Sequence, residues 1–545
     1  MDNKPNVMII CTDQQRYDTI HELGYDYMIT PNLDELCREG CSYVNAHTHN
    51  PICMPARHDL LLGMPARAHG YFANNEMQSI KDYSLPTLSR IFSDAGYRTA
   101  AIGKMHFSPS RAHHGYNELY LMEELPKHRY DDQYATYLKE VGLEEVQNLH
   151  GVRPYLYHTP QQSQIPLPHY ETSWVKDKTI EWLDNNERDP FFLFVGYIKP
   201  HPPWDIPKEY QGIYKDKDIK KAINSTRLFP NNKASGSWFG DDDSEEQKRK
   251  IREAYFTTIT MTDNSIGEII TYLRKSGQLD NTMIIFTSDH GEMLQDKGYY
   301  SKQMPYDSSV RVPFVIRYPE LFKANTRNED FVDLMDILPT CLDVCGLEYP
   351  GDIDNLYGES LCNGTIKSKN REEIICACEF LNDTRWVMSR NKRYKYIYRY
   401  NDGFEEFYDM ELDPCEAHNI ISDFKSSKVY KNLRKKACDY EATWGPEGAI
   451  GEEGDFIKFP KRYNDGWEYG KYHLWSNSQT HRFYRYGKDK CGKQLNKEIY
   501  HSIANEELSG TKLNEVFNDP YWKEDFETKV TRYGVKCCDV YNMFK

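Results

Sequence analysis

Residues 6–16 read NVMIICTDQQR, an apolar run from Val7 to Cys11 that gives way at once to Thr12, Asp13, Gln14, Gln15 and Arg16. A short, wholly apolar segment of this kind is the pattern of a strand buried on both faces of a parallel sheet, and its polar sequel falls at the strand's C-terminal edge. Open α/β sheets bind ligands at that edge. The same grammar recurs three times. Arg98 to Ile102 leads into Gly103-Lys104-Met105-His106, Phe191 to Tyr197 leads into a loop containing His201-Pro202-Pro203-Trp204, and Thr282 to Thr287 leads into Ser288-Asp289-His290-Gly291-Glu292. Helical patterns lie between them, at Leu85 to Ala95 and Glu246 to Lys275. The expected fold class is therefore α/β, with a large, mainly parallel mixed sheet flanked by helices.

Further along, Val312 to Arg317 reads as another strand and the stretch around Phe331 to Cys345 as a helix. A Gly/Asn/Lys-rich stretch from Gly351 to Asn370 marks a boundary. Beyond it, Ile374 to Glu379, Arg385 to Ser389, Tyr394 to Tyr400 and Glu405 to Asp409 read as antiparallel strands, with a hairpin turn at Asn401-Asp402-Gly403. A helix from Lys425 to Trp444 completes a smaller α+β unit. The expected organisation is a main domain of residues 1–365, a C-terminal antiparallel-sheet subdomain of residues 366–445, and an aromatic-rich extension of residues 446–545 packed on the body.

The formal charge of −15, from 83 acidic and 68 basic residues, repels phosphates and sulfates at long range and argues against a nucleic-acid surface. An anionic ligand must meet a local positive pocket. No run of about 18 apolar residues occurs, so no membrane span is expected. The start, MDNKPNVMIICTD, carries no signal-peptide pattern, and a cytoplasmic location is the expectation. The 14 Cys show no repeated spacing and read as free thiols, including the pairs Cys37/Cys41 and Cys341/Cys345, four apart on expected helices.

The segment Cys53-Met54-Pro55-Ala56-Arg57, followed by Leu60-Leu61-Leu62-Gly63, resembles the signature of the type I sulfatases of the alkaline phosphatase superfamily. The resemblance covers roughly the first 415 residues. It takes in Thr12-Asp13-Gln14, the Gly103 to His106 and His201 to Trp204 motifs, Ser288 to Glu292, Lys302 with Arg311-Val312-Pro313, Asp336 to Thr340, Tyr408-Asp409 and Asp413-Pro414. It implies an alkaline-phosphatase-like fold and an enzyme that hydrolyses sulfate monoesters. Cys53 would be oxidised to formylglycine (3-oxoalanine) by a formylglycine-generating maturase.

The residue types suit that chemistry. A sulfate monoester is an anion that resists nucleophilic attack, so its site needs a divalent cation and several fixed positive charges. Asp13 and Asp289 offer hard carboxylate oxygens for the metal, Gln14 a carbonyl oxygen and His290 a nitrogen. Arg57, Lys104, His106, His201 and Lys302 offer positive charge at strand ends of one edge. By the resemblance, one hydroxyl of the hydrated aldehyde at position 53 attacks sulfur, a covalent sulfate ester forms, and the second hydroxyl expels sulfate once a base removes its proton. His106 is the candidate base and His201 the candidate acid for the leaving alcohol. Lys104 and Lys302 would hold sulfate oxygens, Arg57 would anchor the diol, and Asn74 would add a hydrogen bond.

Two departures bear on the metal. Many family members carry Asp where Gln14 stands and Asn where His290 stands. Calcium is the expected ion for an oxygen-rich set, while imidazole admits manganese or zinc. The Asp-Gln and Asp-His forms also occur in the choline sulfatase and phosphonate monoester hydrolase branches. The phosphonate branch usually replaces the Lys and His of the GKxH motif, and this chain keeps both as Lys104 and His106. The expected substrate is a small sulfated molecule, a sulfated sugar first, with His113 and His114 as candidate contacts. A choline, alkyl or aryl sulfatase and a phosphonate monoester or phosphodiester hydrolase are the alternatives. Trp467, Tyr472, His473, Trp475 and His481 form an aromatic and His cluster for which a lid and a homo-oligomer contact are equally open.

Overall fold

The computed structural model describes residues 4–74, 84–107, 111–124, 132–146, 148–151, 160–186, 189–224, 238–239, 244–362, 366, 371–378, 385–401 and 403–458. Eight strands form the main sheet: β1 (Asn6–Asp13), β2 (Cys41–His47), β3 (Arg98–Gly103), β4 (Glu118–Leu121), β5 (Phe191–Pro200), β6 (Thr282–Ser288), β7 (Phe314–Arg317) and β8 (Thr326–Asp333). Their order is β8-β2-β7-β6-β1-β5-β3-β4. β7 is antiparallel to both its neighbours and every other pairing is parallel. The C-terminal ends of β1, β3, β5 and β6 therefore share one edge, as the four apolar-to-polar transitions require.

Alternation along the strands explains why both faces are covered. On β1, Val7, Ile9 and Cys11 join one apolar cluster, whereas Met8 and Ile10 join another on the opposite face. The first face is closed by α2 (Cys53–Leu62), α3 (Leu88–Asp94) and α6 (Ile337–Cys345), through Leu60, Leu61, Phe92, Leu338 and Cys341. The second is closed by α1 (Pro31–Glu39), α4 (Glu171–Asp184) and α5 (Glu245–Lys275), through Leu33, Leu36, Trp174, Val175, Ile266 and Ile269. The Ser244 side chain caps α5 by accepting from Gln247 N–H at 3.1 Å, with Glu245 and Glu246 in its first turn and Arg274 and Lys275 in its last.

A second sheet follows, in the order β9 (Ile374–Cys378), β10 (Trp386–Arg390), β11 (Tyr394–Arg399) and β12 (Phe404–Asp409), antiparallel throughout. One of its faces packs Cys376, Trp386, Met388 and Ile397 against Ile52, Met304 and Tyr306 of the main body. The other carries Val387, Tyr396 and Phe407 against Leu433 and Ala437 of α7 (Lys428–Thr443).

Two local expectations are corrected. The segment from Phe331 is not helical at its start: Phe331 to Asp333 finish β8 beside β2, a 3-10 turn spans Leu334–Asp336, and α6 begins only at Ile337. Pairing with β2 outweighs the helical pattern there. Cys41 opens β2 and does not share a helix with Cys37. The described cysteines are all free, and no described helix is long and apolar enough to cross a membrane. The Trp467 to His481 cluster lies outside the described residues.

Candidate active site

The expected site residues arrive at the shared edge from separate elements. Asp13 ends β1, where pairing with β5 shifts between Cys11 and Asp13, and Gln14 turns the chain with φ of +69°. A left-handed conformation at a non-glycine residue is a cost that functional sites tolerate. Lys104 follows Gly103, which has φ of +96° and lies so close to β5 that a Cβ would stand 1.9 Å from the Gly196 carbonyl oxygen. Only glycine allows Lys104 N–H to reach that oxygen at 2.9 Å. Asp289 and His290 follow β6, with Asp289 N–H donating to the Thr12 carbonyl at 3.2 Å.

Cys53 is the first residue of α2, a helix buried along its whole length. The Asn74 Oδ1 accepts from Met54 N–H at 2.9 Å, which satisfies one of the open amides of the first turn. A helix N-terminus favours negative charge at Cys53. Lys302 Nζ donates to Cys53 Sγ at 2.9 Å and to Gln14 Oε1 at 3.0 Å. His290 Nε2 lies 3.2 Å from the same sulfur and 3.5 Å and 3.6 Å from Asp13 and Asp289 oxygens. His290 Nδ1 faces the Gly291 carbonyl at 3.0 Å, so a proton there leaves Nε2 as the group turned to the cluster.

The remaining cations are tied to carboxylates. Arg57 Nε donates to Asp289 Oδ2 at 2.8 Å and its Nη1 to the Lys104 carbonyl at 2.6 Å. Lys104 Nζ sits between Asp13 and Glu124 Oε2, the latter at 2.8 Å. Burial and the Asp13 charge push the Cys53 thiol up, but Lys302, Lys104 and His290 outweigh them and hold it well below the usual range. Burial likewise works against the Asp13 charge, and Lys104, His201, Lys302 and His290 hold its carboxyl well below the usual range. Burial and then Asp13 push the Asp289 carboxyl up. Burial drives His201 down to about 3, against the opposing pull of Glu124. His201 Nδ1 is 2.6 Å from the Pro202 carbonyl and 3.6 Å from Glu124.

Asp13, Cys53, Asp289 and His290 each present one donor atom within 4.8 Å of the others, all buried. The two close carboxylates, one of them pushed up in part by its neighbour's charge, form a setting that a divalent cation would relieve. The donor chemistry thus fits a metal.

Other expected residues make no hydrogen bond to this cluster among the described residues. His106, with φ of +56°, is held through its backbone N–H by Glu123 Oε1 at 2.9 Å, and its buried Nδ1 has no hydrogen-bond partner among the described residues. His113 is exposed, with Nδ1 2.9 Å from the Tyr116 carbonyl. The His114 ring packs edge-on against Phe107 and His58 at 4.3 Å and 5.6 Å. Glu123, Glu124 and Glu292 were not anticipated. Glu292 Oε1 accepts from Leu294 and Ser301 N–H at 2.8 Å and 2.6 Å, and its second oxygen takes the Gln14 amide. The signal for Glu123 and Glu124 is their position just past β4, a strand too short to stand out in the sequence.

Residues 5–347 match the family model described as Sulfatase, and residues 295–443 match the one described as N-sulphoglucosamine sulphohydrolase, C-terminal. An arylsulfatase of Clostridium perfringens is 30% identical over 79% of this chain and 93% of its own length. A choline-sulfatase of Rhizobium meliloti is 27% identical, over 81% and 88%. Among solved structures, one in complex with its substrate D-glucosamine-2-N,6-O-disulfate superposes with a TM-score of 0.65 at 22% identity, covering 81% of this chain and 98% of that one. The phosphonate monoester hydrolase of Agrobacterium radiobacter gives a TM-score of 0.67 at 23% identity, covering 84% and 100%.

Proposed function

The chain belongs to the sulfatase family of the alkaline phosphatase superfamily and is a sulfuric ester hydrolase; from that premise we propose that it removes sulfate from a small sulfated sugar, using a formylglycine made from Cys53 and a divalent metal. The observation that carries the proposal is the setting of Cys53, at the start of a buried helix and within 2.9 Å of the Lys302 ammonium and 3.2 Å of His290. The sugar is supported by the N-acetylglucosamine-6-O-sulfatase of Bacteroides thetaiotaomicron, 24% identical over 79% of this chain. The disulfated glucosamine complex on the same fold supports it too.

The Cys53 sulfur marks where the aldehyde oxygen would stand, and its hydrate would supply the attacking hydroxyl. A metal held by Asp13, Gln14, Asp289 and His290 would supply Lewis acidity there. Calcium suits the three oxygen donors that remain once sulfur is gone, and the imidazole keeps manganese and zinc as alternatives. A formylglycine-generating maturase is the partner this reading requires.

Lys302 and Lys104 neutralise sulfate oxygens, and Arg57 braces Asp289 from behind. Asn74 has its oxygen committed to Met54 N–H, which leaves its amide nitrogen as the donor to sulfate. His201 faces the leaving alcohol. Burial keeps it neutral in the resting pocket, and an arriving anion supplies the charge that lets it carry a proton. His106 is the base for the second hydroxyl. His113, an exposed side chain, suits a sugar contact, whereas the packed His114 ring suits the scaffold.

The test is hydrolysis of a panel of sulfated mono- and disaccharides, choline sulfate, 4-nitrophenyl sulfate and phosphonate monoesters, read as sulfate release from the sulfate esters and as alcohol or phenol release from the phosphonates. A preference for a monosaccharide sulfate is expected. Faster hydrolysis of phosphonate esters, or of choline sulfate, would overturn the substrate assignment.

A further inference from the structure

The loop that carries Lys302 runs between the two sheets. Its residues Ser301 and Gln303, on either side of Lys302, both adopt left-handed backbone, with φ of +71° and +72°. Side-chain-bearing residues resist that conformation, so the loop depends on external ties to keep its shape. The inner tie is Glu292, which accepts from Ser301 N–H at 2.6 Å. The outer tie comes from the second sheet. Trp386 on β10, 1% exposed, donates its Nε1–H to the Gln303 carbonyl at 2.7 Å. Its ring belongs to the same apolar cluster as Met304 and Tyr306, the next residues of the loop. Lys395 on β11 repeats the device downstream, donating to the Pro305 carbonyl at 3.1 Å and to Asp307 at 2.7 Å.

We propose that Trp386 is a positioning residue for Lys302, so that the second sheet acts on the sulfate pocket and is not only a packing partner. The indole N–H fixes the Gln303–Met304 peptide, one residue beyond Lys302. Without it, the second sheet reaches the loop through Lys395 only further on, at Pro305 and Asp307, and the ammonium no longer stays at 2.9 Å from the position-53 side chain. The inference rests on the reading that Lys302 binds sulfate.

The experiment is a double-mutant cycle on the mature enzyme with Trp386→Phe and Lys302→Ala, read as kcat/KM for 4-nitrophenyl sulfate and as Kd for inorganic sulfate by calorimetry. Loss of one hydrogen bond predicts a roughly tenfold fall for Trp386→Phe, and loss of a fixed cation a fall of about a hundredfold for Lys302→Ala. In the Lys302→Ala background, Trp386→Phe is expected to change neither quantity by more than about twofold. An equal fall in both backgrounds, or no fall in the single variant, overturns the inference. An unaltered Lys302→Ala enzyme overturns the reading beneath it instead. If the Phe variant is not recovered folded, Trp386→Leu carries the same cycle.

Discussion

Replacing Lys104 by Met should destabilise the metal-free protein far more than the metal-loaded one. The Lys104 ammonium, fully enclosed, touches Asp13, also fully enclosed, and Glu124, whose side chain is 8% exposed. Removing one member of a buried ion pair leaves an uncompensated charge and costs about 3–5 kcal/mol. In the variant without metal, the ion-pair contacts that Asp13 keeps among the described residues are His290 at 3.5 Å and Arg57 at 3.9 Å, with Lys302 and His201 acting from further off. With metal bound, the ion takes over neutralisation of Asp13, and the loss shrinks to the Glu124 contact, about 1–2 kcal/mol. The two losses differ by about 2–3 kcal/mol, and linkage requires the same difference in metal affinity. Lys104→Met should therefore bind the ion about 30- to 150-fold more tightly while losing activity. Denaturant unfolding in chelator and in saturating calcium measures the first quantity, and calorimetric titration measures the second. Equal destabilisation under both conditions, with unchanged metal affinity, would refute the assignment of Asp13 as a ligand.

Cys53→Ala is expected to abolish turnover and leave the unfolding midpoint within a few degrees of the parent; collapse of the fold would make Cys53 a core residue and not a nucleophile precursor. His114 is pushed down to about 4, first by burial and then by His113. A depressed His binds fewer protons folded than unfolded, so its contribution to stability is intact above pH 6.5 and is lost as pH falls from 6.5 towards 4. His114→Phe should remove about 2 kcal/mol of the stability lost between pH 6.5 and 5, measured by urea unfolding at the two values; an unchanged slope would show that His114 is not buried as a neutral ring. Gly103→Ala would put a methyl group 1.9 Å from the Gly196 carbonyl oxygen at a φ of +96°. The expected loss exceeds about 3 kcal/mol, and soluble, fully active protein would contradict the close approach of β3 and β5.

The α/β core was legible because its signals are local. An apolar run from Val7 to Cys11 ending in Asp13, and an equivalent run ending in Asp289, identify parallel strands whether or not their neighbours are known. The order of those strands was not legible, since Asn6 pairs with Thr282, 276 residues away. β4 has four residues and β8 begins with exposed polar positions, so neither carries enough alternation to be read. Glu123 and Glu124 were missed with β4, although one fixes the backbone of His106 and the other joins Lys104 to His201. Glu292 stood inside a quoted motif, but its part in joining Gln14 to the Lys302 loop depends on a contact 278 residues long.

Charge marks a further limit of the sequence. A chain of formal charge −15 needs a positive pocket for an anion, and the motifs at the strand ends offer His106, His201 and three permanent cations for it, Arg57, Lys104 and Lys302. In the folded protein each lies against an acceptor: Arg57 on Asp289, Lys104 on Asp13 and Glu124, Lys302 on Gln14 and Cys53. Arg57 and Lys104 are therefore compensated by carboxylates, and the resting pocket is not an open positive field. A divalent ion at Asp13 and Asp289 would compete with Lys104 and Arg57 for those carboxylates and turn part of their charge outward. On this account metal binding and sulfate binding are coupled. An enzyme stripped of its ion should lose affinity for inorganic sulfate as well as the ability to turn over, a loss that calorimetry on the chelated protein reads directly.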